Sequence, residues 1–354
     1  MAETQKAALF YGANDIRVEE IPLVYPGKGE VMIKIGWCGI CGTDLHEFQD
    51  GPHLTPSKQE AHVSTGSRLP VVLGHEFAGT ITHLGSELQG VWKVGDRVAV
   101  DPLLVCHQCF SCKHDNHNSC TKIGFSGLAV KEESLYKLPD NIDMRTGAMI
   151  EPLAVAVHAI RRSGFKKGDT ALVLGGGPIG LFIAATLVAM DAGKVILSEP
   201  SAQRRKMAKV AGAHHIFSPM DVDVVEECKK LTGGADCGVD VAFECAGIPA
   251  TSEAGLAALH ANGTMVQVAL TSKNPVVNVN KLVMGEKTLK GAMSFCHDHP
   301  VAIELLTSGK LNLNAFITAT IKIDDIVEGG FKQLLHNNEN HVKILANLSG
   351  TDPE

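Results

Sequence analysis

Ala171-Leu-Val-Leu174 runs directly into Gly175-Gly-Gly-Pro-Ile-Gly180 and then into the apolar stretch Leu181-Phe-Ile-Ala-Ala-Thr-Leu-Val-Ala-Met190. Four apolar residues read as a buried strand, and a glycine-rich turn opening an apolar helix reads as the first β–α unit of a dinucleotide-binding sheet. The G-x-G-x-x-G spacing is a weak signal by itself. Its weight comes from Glu199, which closes the next strand, Val195-Ile-Leu197, about 20 residues on, where an acid is required. Gly175 gives the tight turn, Gly177 lets the pyrophosphate approach, and Gly180 allows close helix–sheet packing; Pro178 and Ile179 lie within the same cofactor loop. The free amides at the helix start face the phosphate charge. Glu199 would accept hydrogen bonds from the adenosine ribose and repel a 2′-phosphate, which favours NAD over NADP. Arg204 and Arg205 lie close enough to bear on that choice, and Arg204 is counted with the cofactor residues. The alternative is a plain tight turn with a surface carboxylate.

Downstream, strands are expected at Val195–Leu197, Val239–Phe243, Thr264–Ala269 and Lys287–Lys290, with helices at about 178–190, 202–211, 221–231 and 252–259. This alternation implies βαβ units and a doubly wound parallel sheet. The ends of the strands leading to Glu244 and Val268 should line the nicotinamide side, because ligands bind outside the carboxyl ends of parallel strands. Upstream of about residue 155 the texture is different: short β-like runs broken by Gly and Pro, such as Glu30–Ile35, Phe77–Thr82 and Asp96–Val100, point to an irregular, mostly-β domain. The tail after about 298 alternates helix, strand, helix, strand and should rejoin the first domain. The expected division is therefore 1–157 completed by 298–354, with 158–297 between.

Composition excludes several classes. A net charge of -7 is scattered without a basic run, so nucleic acid is not an expected partner. The longest apolar run, Ile179–Met190, falls short of the roughly 18–20 residues of a membrane span, and the N-terminus lacks a secretory h-region. A soluble cytoplasmic protein is expected, in a reducing compartment.

That compartment bears on Cys106-His-Gln-Cys109-Phe-Ser-Cys112, followed by Cys120. Four closely spaced thiols let one loop curl around a tetrahedral zinc with no open position, which is a structural site; disulfide pairing is the alternative. A second set is dispersed: Cys38-Gly-Ile-Cys41-Gly-Thr43-Asp44-Leu-His46, then Gly74-His75-Glu76, then Glu151-Pro-Leu. Cysteine, histidine and carboxylate from separated segments are what a catalytic zinc uses. Singly, His75 could be a core histidine, and Cys38 with Cys41 a redox pair.

Together these motifs resemble the zinc-dependent medium-chain alcohol and polyol dehydrogenases, and the resemblance runs through nearly the whole chain. It implies a GroES-like, mostly-β catalytic domain joined to a Rossmann cofactor domain, two zincs per subunit and NAD. It further implies that Cys41 and His75 bind the catalytic zinc, with Glu76 and Glu151 supplying or exchanging the remaining position. Asp44 matches the residue that orients the histidine ligand. Thr43 and His46 match a relay that carries the alcohol proton to solvent, and Glu151 is grouped with them as catalytic. Cys38 matches no ligand. The segment from Phe48 through Pro56, His62 and Pro70 resembles the (R,R)-2,3-butanediol dehydrogenase branch, and no arginine stands near Ser294 as in the sorbitol branch. The expected substrate is a small secondary alcohol and its ketone, a vicinal diol ahead of sorbitol or xylitol, handled by a homodimer or homotetramer. One departure stands out: after Cys120 the chain is short by about one strand and its turn. That shortening should leave neighbouring backbone groups unpaired, and it raises the alternative of a catalytically silent NAD- and zinc-binding module.

Overall fold

The computed structural model describes residues 3–126, 130–235, 237–271 and 273–350. It divides into two compact units, Met1–Glu151 with Ile317–Glu354, and Pro152–Phe316. The division falls earlier than 157 and later than 297. Within the second unit His158 Nδ1 meets Asp298 at 2.8 Å, Arg161 donates to the Cys296 carbonyl, and Phe182 packs against Phe316. These contacts hold the helices Ile150–Ser163 and His299–Thr307 to the second unit.

In the second unit a six-stranded sheet runs, in spatial order, His215–Phe217, Lys194–Ser198, Thr170–Leu174, Val239–Glu244, Leu259–Gln267 and Thr288–Gly291. Every neighbouring pair is parallel. Numbered along the chain the order is 3-2-1-4-5-6, the doubly wound dinucleotide-binding arrangement, whose switch point lies between Thr170–Leu174 and Val239–Glu244. The strands are continuous apolar runs because the central ones are buried on both faces; Ala171, Leu172, Val173 and Ile196 are completely inaccessible. The three-residue strand His215–Phe217 is an addition to the sequence expectation. The helix expected from 221 begins at Val224, because Asp223 caps it by accepting from the amides of Val225 and Glu226. The helix expected from 252 begins at Pro249, where proline suits a first helical turn.

The first unit is built on a mixed sheet ordered Leu135–Lys137, Arg97–Val100, Glu76–Leu84, Glu30–Gly39, Lys343–Asn347 and Ile317–Lys322, with Val130–Lys131 also pairing to Glu30–Gly39. Two of its strands therefore come from the tail. A smaller sheet joins Asp15–Pro22, Thr4–Gly12 and Val71–Val72, and Leu103–Leu104 pairs with Gly124–Phe125.

The shortened segment after Cys120 leaves no unpaired ladder among the described residues beside it. Val130 and Lys131 pair with Val31 and Glu30, Glu132 N donates to the Gly29 carbonyl, and Leu135–Lys137 pairs with Val98–Val100. The chain crosses from one strand to the other with partners on both sides; 127–129 lie outside the described residues.

Candidate active site

The thiol loop comes together as its spacing requires. The sulfurs of Cys106, Cys109, Cys112 and Cys120 all lie within 4.8 Å of one another. Cys109 and Cys112 Sγ are 3.5 Å apart, and Cys106 and Cys112 Sγ 4.0 Å apart. A tetrahedron with Zn–S of about 2.3 Å has edges of about 3.8 Å, so the donor set fits zinc. Amides of Cys109, Cys106 and Lys122 donate to these sulfurs. Backbone donors at Cys112 and Thr121 draw the Cys109 thiol down to about 6, whereas burial pushes Cys112 up to about 12. No disulfide forms among the described residues.

The second set converges from two strands and a helix of the first unit. Glu30–Gly39 ends just before Cys41, which precedes the helix Gly42–Asp50, while His75 and Glu76 open the neighbouring strand Glu76–Leu84. Antiparallel pairing sets Gly39 opposite Glu76. As a result the donor atoms of Cys41, His75 and Glu76 lie within 4.8 Å of one another. Asp44 ties the group together: Oδ2 accepts from the Cys41 amide at 2.9 Å, and Oδ1 stands 3.4 Å from His75 Nδ1, leaving Nε2 for a metal. Burial lowers the His75 pKa, but the charges of Asp44 and Cys41 outweigh it and raise the group well above the ordinary histidine value. Glu151 is buried close by, its carboxyl pushed up to about 8, first by burial and then by the charge of Glu76, against the pull of His75 and Lys343. Cys38 is held as a thiol, pushed to about 12 by burial.

Lys343 is a residue the sequence reading missed. It is 2% exposed and donates to both oxygens of Glu76 at 2.7 Å and to the Ile40 carbonyl at 3.1 Å. A Cβ at position 39 would lie 2.2 Å from Glu76 Oε2, so only glycine leaves room for the pair. The donors suit zinc in type and number: a thiol, an imidazole and a carboxylate, with Glu151 in reserve.

Beside this cluster lies a cavity of about 670 Å3 in the first unit. Thr43, Asp44 and His75 form one side of it, and Phe125 and Ser126 another. The Phe125 ring packs on the His75 ring with centroids 4.8 Å apart. Ser126 is 9% exposed and its hydroxyl has no hydrogen-bond partner among the described residues. Thr43 Oγ1 is 3.8 Å from Cys41 Sγ, and His46, one turn further along the helix, is exposed.

In the second unit the glycine loop fits a dinucleotide. Gly175 has φ of +105°, which favours glycine, and a Cβ at Gly180 would lie 2.0 Å from the Gly175 carbonyl oxygen. Pro178 opens the helix Pro178–Ala189 after Gly177. Glu199 is buried and accepts from the amides of Gly176 at 2.7 Å and Ser201 at 2.8 Å, which fixes the carboxylate at the loop with acceptor capacity to spare. Arg204 N donates to the capping Ser201 hydroxyl. Arg205 is tied to the carbonyls of Glu199 and Pro200. At the switch point the buried Glu244, at a strand end expected on the nicotinamide side, accepts from the amides of Ala246 and Gly247 and the Thr251 hydroxyl. Val268 N bonds the Glu244 carbonyl.

Residues 27–140 match the family described as alcohol dehydrogenase GroES-like domain, and residues 178–308 match zinc-binding dehydrogenase. The chain belongs to this zinc-binding medium-chain dehydrogenase family; it is an oxidoreductase, and zinc and NAD are its cofactors. Within the family it is similar to the (R,R)-butanediol dehydrogenase of Neisseria gonorrhoeae, 42% identical over 97% of this chain and 99% of the relative. The Bacillus subtilis (R,R)-butanediol dehydrogenase is 37% identical over 96% and 99%. The B. subtilis sorbitol dehydrogenase is 32% identical over 95% and 96%. The crystal structure of 2R,3R-butanediol dehydrogenase from B. subtilis superposes with a TM-score of 0.90 at 36% identity, covering 97% of this chain and 99% of that one.

Proposed function

We propose that this chain interconverts a short vicinal diol, 2,3-butanediol, with its hydroxyketone, acetoin, using NAD. The observation that carries the reading is the Cys41–His75–Glu76 cluster, with His75 and Glu76 buried, beside a cavity lined by more apolar than polar residues. The full-length similarity to butanediol dehydrogenases supports the choice of substrate.

Zinc, when bound, supplies a Lewis acid that lowers the pKa of the alcohol hydroxyl; NAD supplies the hydride acceptor. The remaining work falls to the protein. Cys41 and His75 hold the metal, Asp44 keeps His75 in the ligating tautomer, and Glu76, with Glu151 beside it, provides the carboxylate position. Thr43 takes the hydroxyl proton at the cavity as it gives up its own, and His46 passes a proton on to water, the two standing one helical turn apart with only His46 exposed. Gly175, Gly177, Pro178, Ile179 and Gly180 seat the pyrophosphate, Glu199 the ribose, and Arg204 and Val268 flank the dinucleotide. The four thiolates of Cys106, Cys109, Cys112 and Cys120 hold the structural zinc.

The gathering of Cys106, Cys109, Cys112 and Cys120 as metal-ligating thiols supports a reducing, cytoplasmic setting. No helix among the described residues is long and apolar enough to cross a membrane. A homo-oligomer is supported by the edge strand Thr288–Gly291 and the exposed Val276, Val283 and Met284 near it.

The test is NADH formation by zinc-loaded protein offered the separate 2,3-butanediol stereoisomers, sorbitol and xylitol. Turnover confined to a butanediol isomer is the expected result. Preference for sorbitol or xylitol, or silence on all of them, overturns the reading.

A further inference from the structure

The segment 52–70 buries little of itself. Most of its residues are exposed, Leu54 at 47% and Val63 at 65%, and its hold on the apolar core is Leu69, next to its last residue. Yet Leu54, Pro56, His62 and Ser67 form a side of the cavity beside His75. Something polar must hold it there.

That anchor is Glu47, on the helix Gly42–Asp50 and one turn beyond Asp44. Its side chain is 2% exposed, and its carboxylate accepts from the start of the segment: the amides of His53 at 3.0 Å, Leu54, and Thr55 at 3.3 Å, and the Thr55 hydroxyl at 2.6 Å. The approach depends on Gly51, where a Cβ would lie 2.7 Å from Glu47 Oε2. At the far end His62 Nε2 bonds the Ile123 carbonyl at 3.0 Å, and Ser64 Oγ bonds the Lys122 carbonyl. Gly124, which would place a Cβ 2.5 Å from the His62 ring, lets that ring lie against the strand carrying Phe125. The Leu69 amide closes the segment onto the Ser57 carbonyl.

We propose that 52–70 is the wall that limits substrate size, and that Glu47 is the positioning residue holding it against the cavity. A single helix then does two things: Asp44 fixes the His75 ligand, and one turn later Glu47 fixes a segment lining the same cavity. Ligand geometry and cavity width are thereby referred to the same rigid element. The inference rests on the reading of this cavity as the alcohol site.

The experiment compares wild type, Glu47→Gln and the milder Thr55→Val on 2,3-butanediol, 2-butanol and the bulkier 2-octanol, with zinc content and NADH affinity measured alongside. Glu47→Gln puts an amide NH2 where backbone amides need an acceptor. It should raise KM for the small substrates about 10-fold or more with a kcat change under about 3-fold, the signature of lost binding rather than lost chemistry. It should also shift the 2-octanol to 2-butanol ratio of kcat/KM at least 5-fold toward the larger alcohol, and Thr55→Val should move the same way by less. Limited proteolysis should cut 52–70 faster in Glu47→Gln. A size ratio unmoved in an active Glu47→Gln enzyme, or a parallel kcat loss on all three alcohols, overturns the wall alone. A wild type silent on every alcohol overturns the reading of the site and the wall's role with it.

Discussion

Replacing Lys343 with Met tests whether the buried lysine serves the metal site or merely the sheet. Lys343 and Glu76 are 2% and 1% exposed, with the ammonium 2.7 Å from both carboxylate oxygens and 3.1 Å from the Ile40 carbonyl. Removing one partner of such a pair leaves an uncompensated buried charge and costs about 3–5 kcal/mol. The loss has two parts that respond differently to zinc. The Ile40 carbonyl loses its donor in either state, at about 1–3 kcal/mol. Glu76 lacks a counter-charge only in the metal-free protein, because zinc on Cys41, His75 and Glu76 would stand in for the ammonium. Melting should therefore fall by roughly 6–20 °C in the metal-free variant, at about 2–4 °C per kcal/mol for a unit of this size, and by less, roughly 2–12 °C, in the zinc-loaded one. The assay is a set of four melts, wild type and Lys343→Met, each with and without chelator. Chelation also empties the thiolate loop, but that contribution is common to both proteins and cancels in the difference of differences. Equal losses in the two states would refute the reasoning, as would a metal-free loss below about 1 kcal/mol.

Cys112→Ser should reduce zinc from two per chain to one and lower the melting temperature, read by metal analysis and calorimetry; unchanged zinc would count against a closed four-thiolate site. Glu199→Ala should weaken NAD binding about 10-fold or more and narrow the preference over NADP, by titration with both cofactors, because the acid both receives the ribose and repels a 2′-phosphate. Ser126→Ala should lower kcat/KM for 2,3-butanediol about 5- to 30-fold relative to 2-butanol, the range of one hydrogen bond of about 1–2 kcal/mol; an unaltered ratio would mean that its hydroxyl does not receive the second oxygen. His46→Ala should slow turnover more at low than at high pH, since solvent base can replace the relay as hydroxide rises, and a uniform loss across pH would exclude the relay.

What could be read in the sequence was what is local along it. The strand, glycine turn, helix and Glu199 fall within one β–α–β span, and the four thiols within a single loop, so spacing carries the geometry. His75 and Glu76 could be assigned because they lie adjacent in the chain and match a known pattern. Lys343 could not: it reaches Glu76 only through the pairing of Lys343–Asn347 with Glu30–Gly39, and a lysine near a C-terminus carries no local signal. Glu47 was hidden for a related reason, since its partners are backbone amides, which have no sequence identity. The His215–Phe217 strand is too short and too evenly half-buried to show a period. The shortening after Cys120 suggested orphaned backbone groups, because a count of strands cannot show that Val130 and Lys131 pair with Val31 and Glu30.

The first unit is interrupted in the chain, and this sets an order on its making. A ribosome delivers Glu76 long before Lys343, 267 residues later, and completes the whole of Pro152–Phe316 in between. The contiguous second unit can close as soon as it emerges, whereas the first must wait with the Glu30–Gly39 edge unpaired and a buried carboxylate uncompensated until the last strand arrives. The metal centre is thus the final part of the nascent protein to become habitable, and a chain released before residue 343 would carry a finished nucleotide fold with no completed place for catalysis.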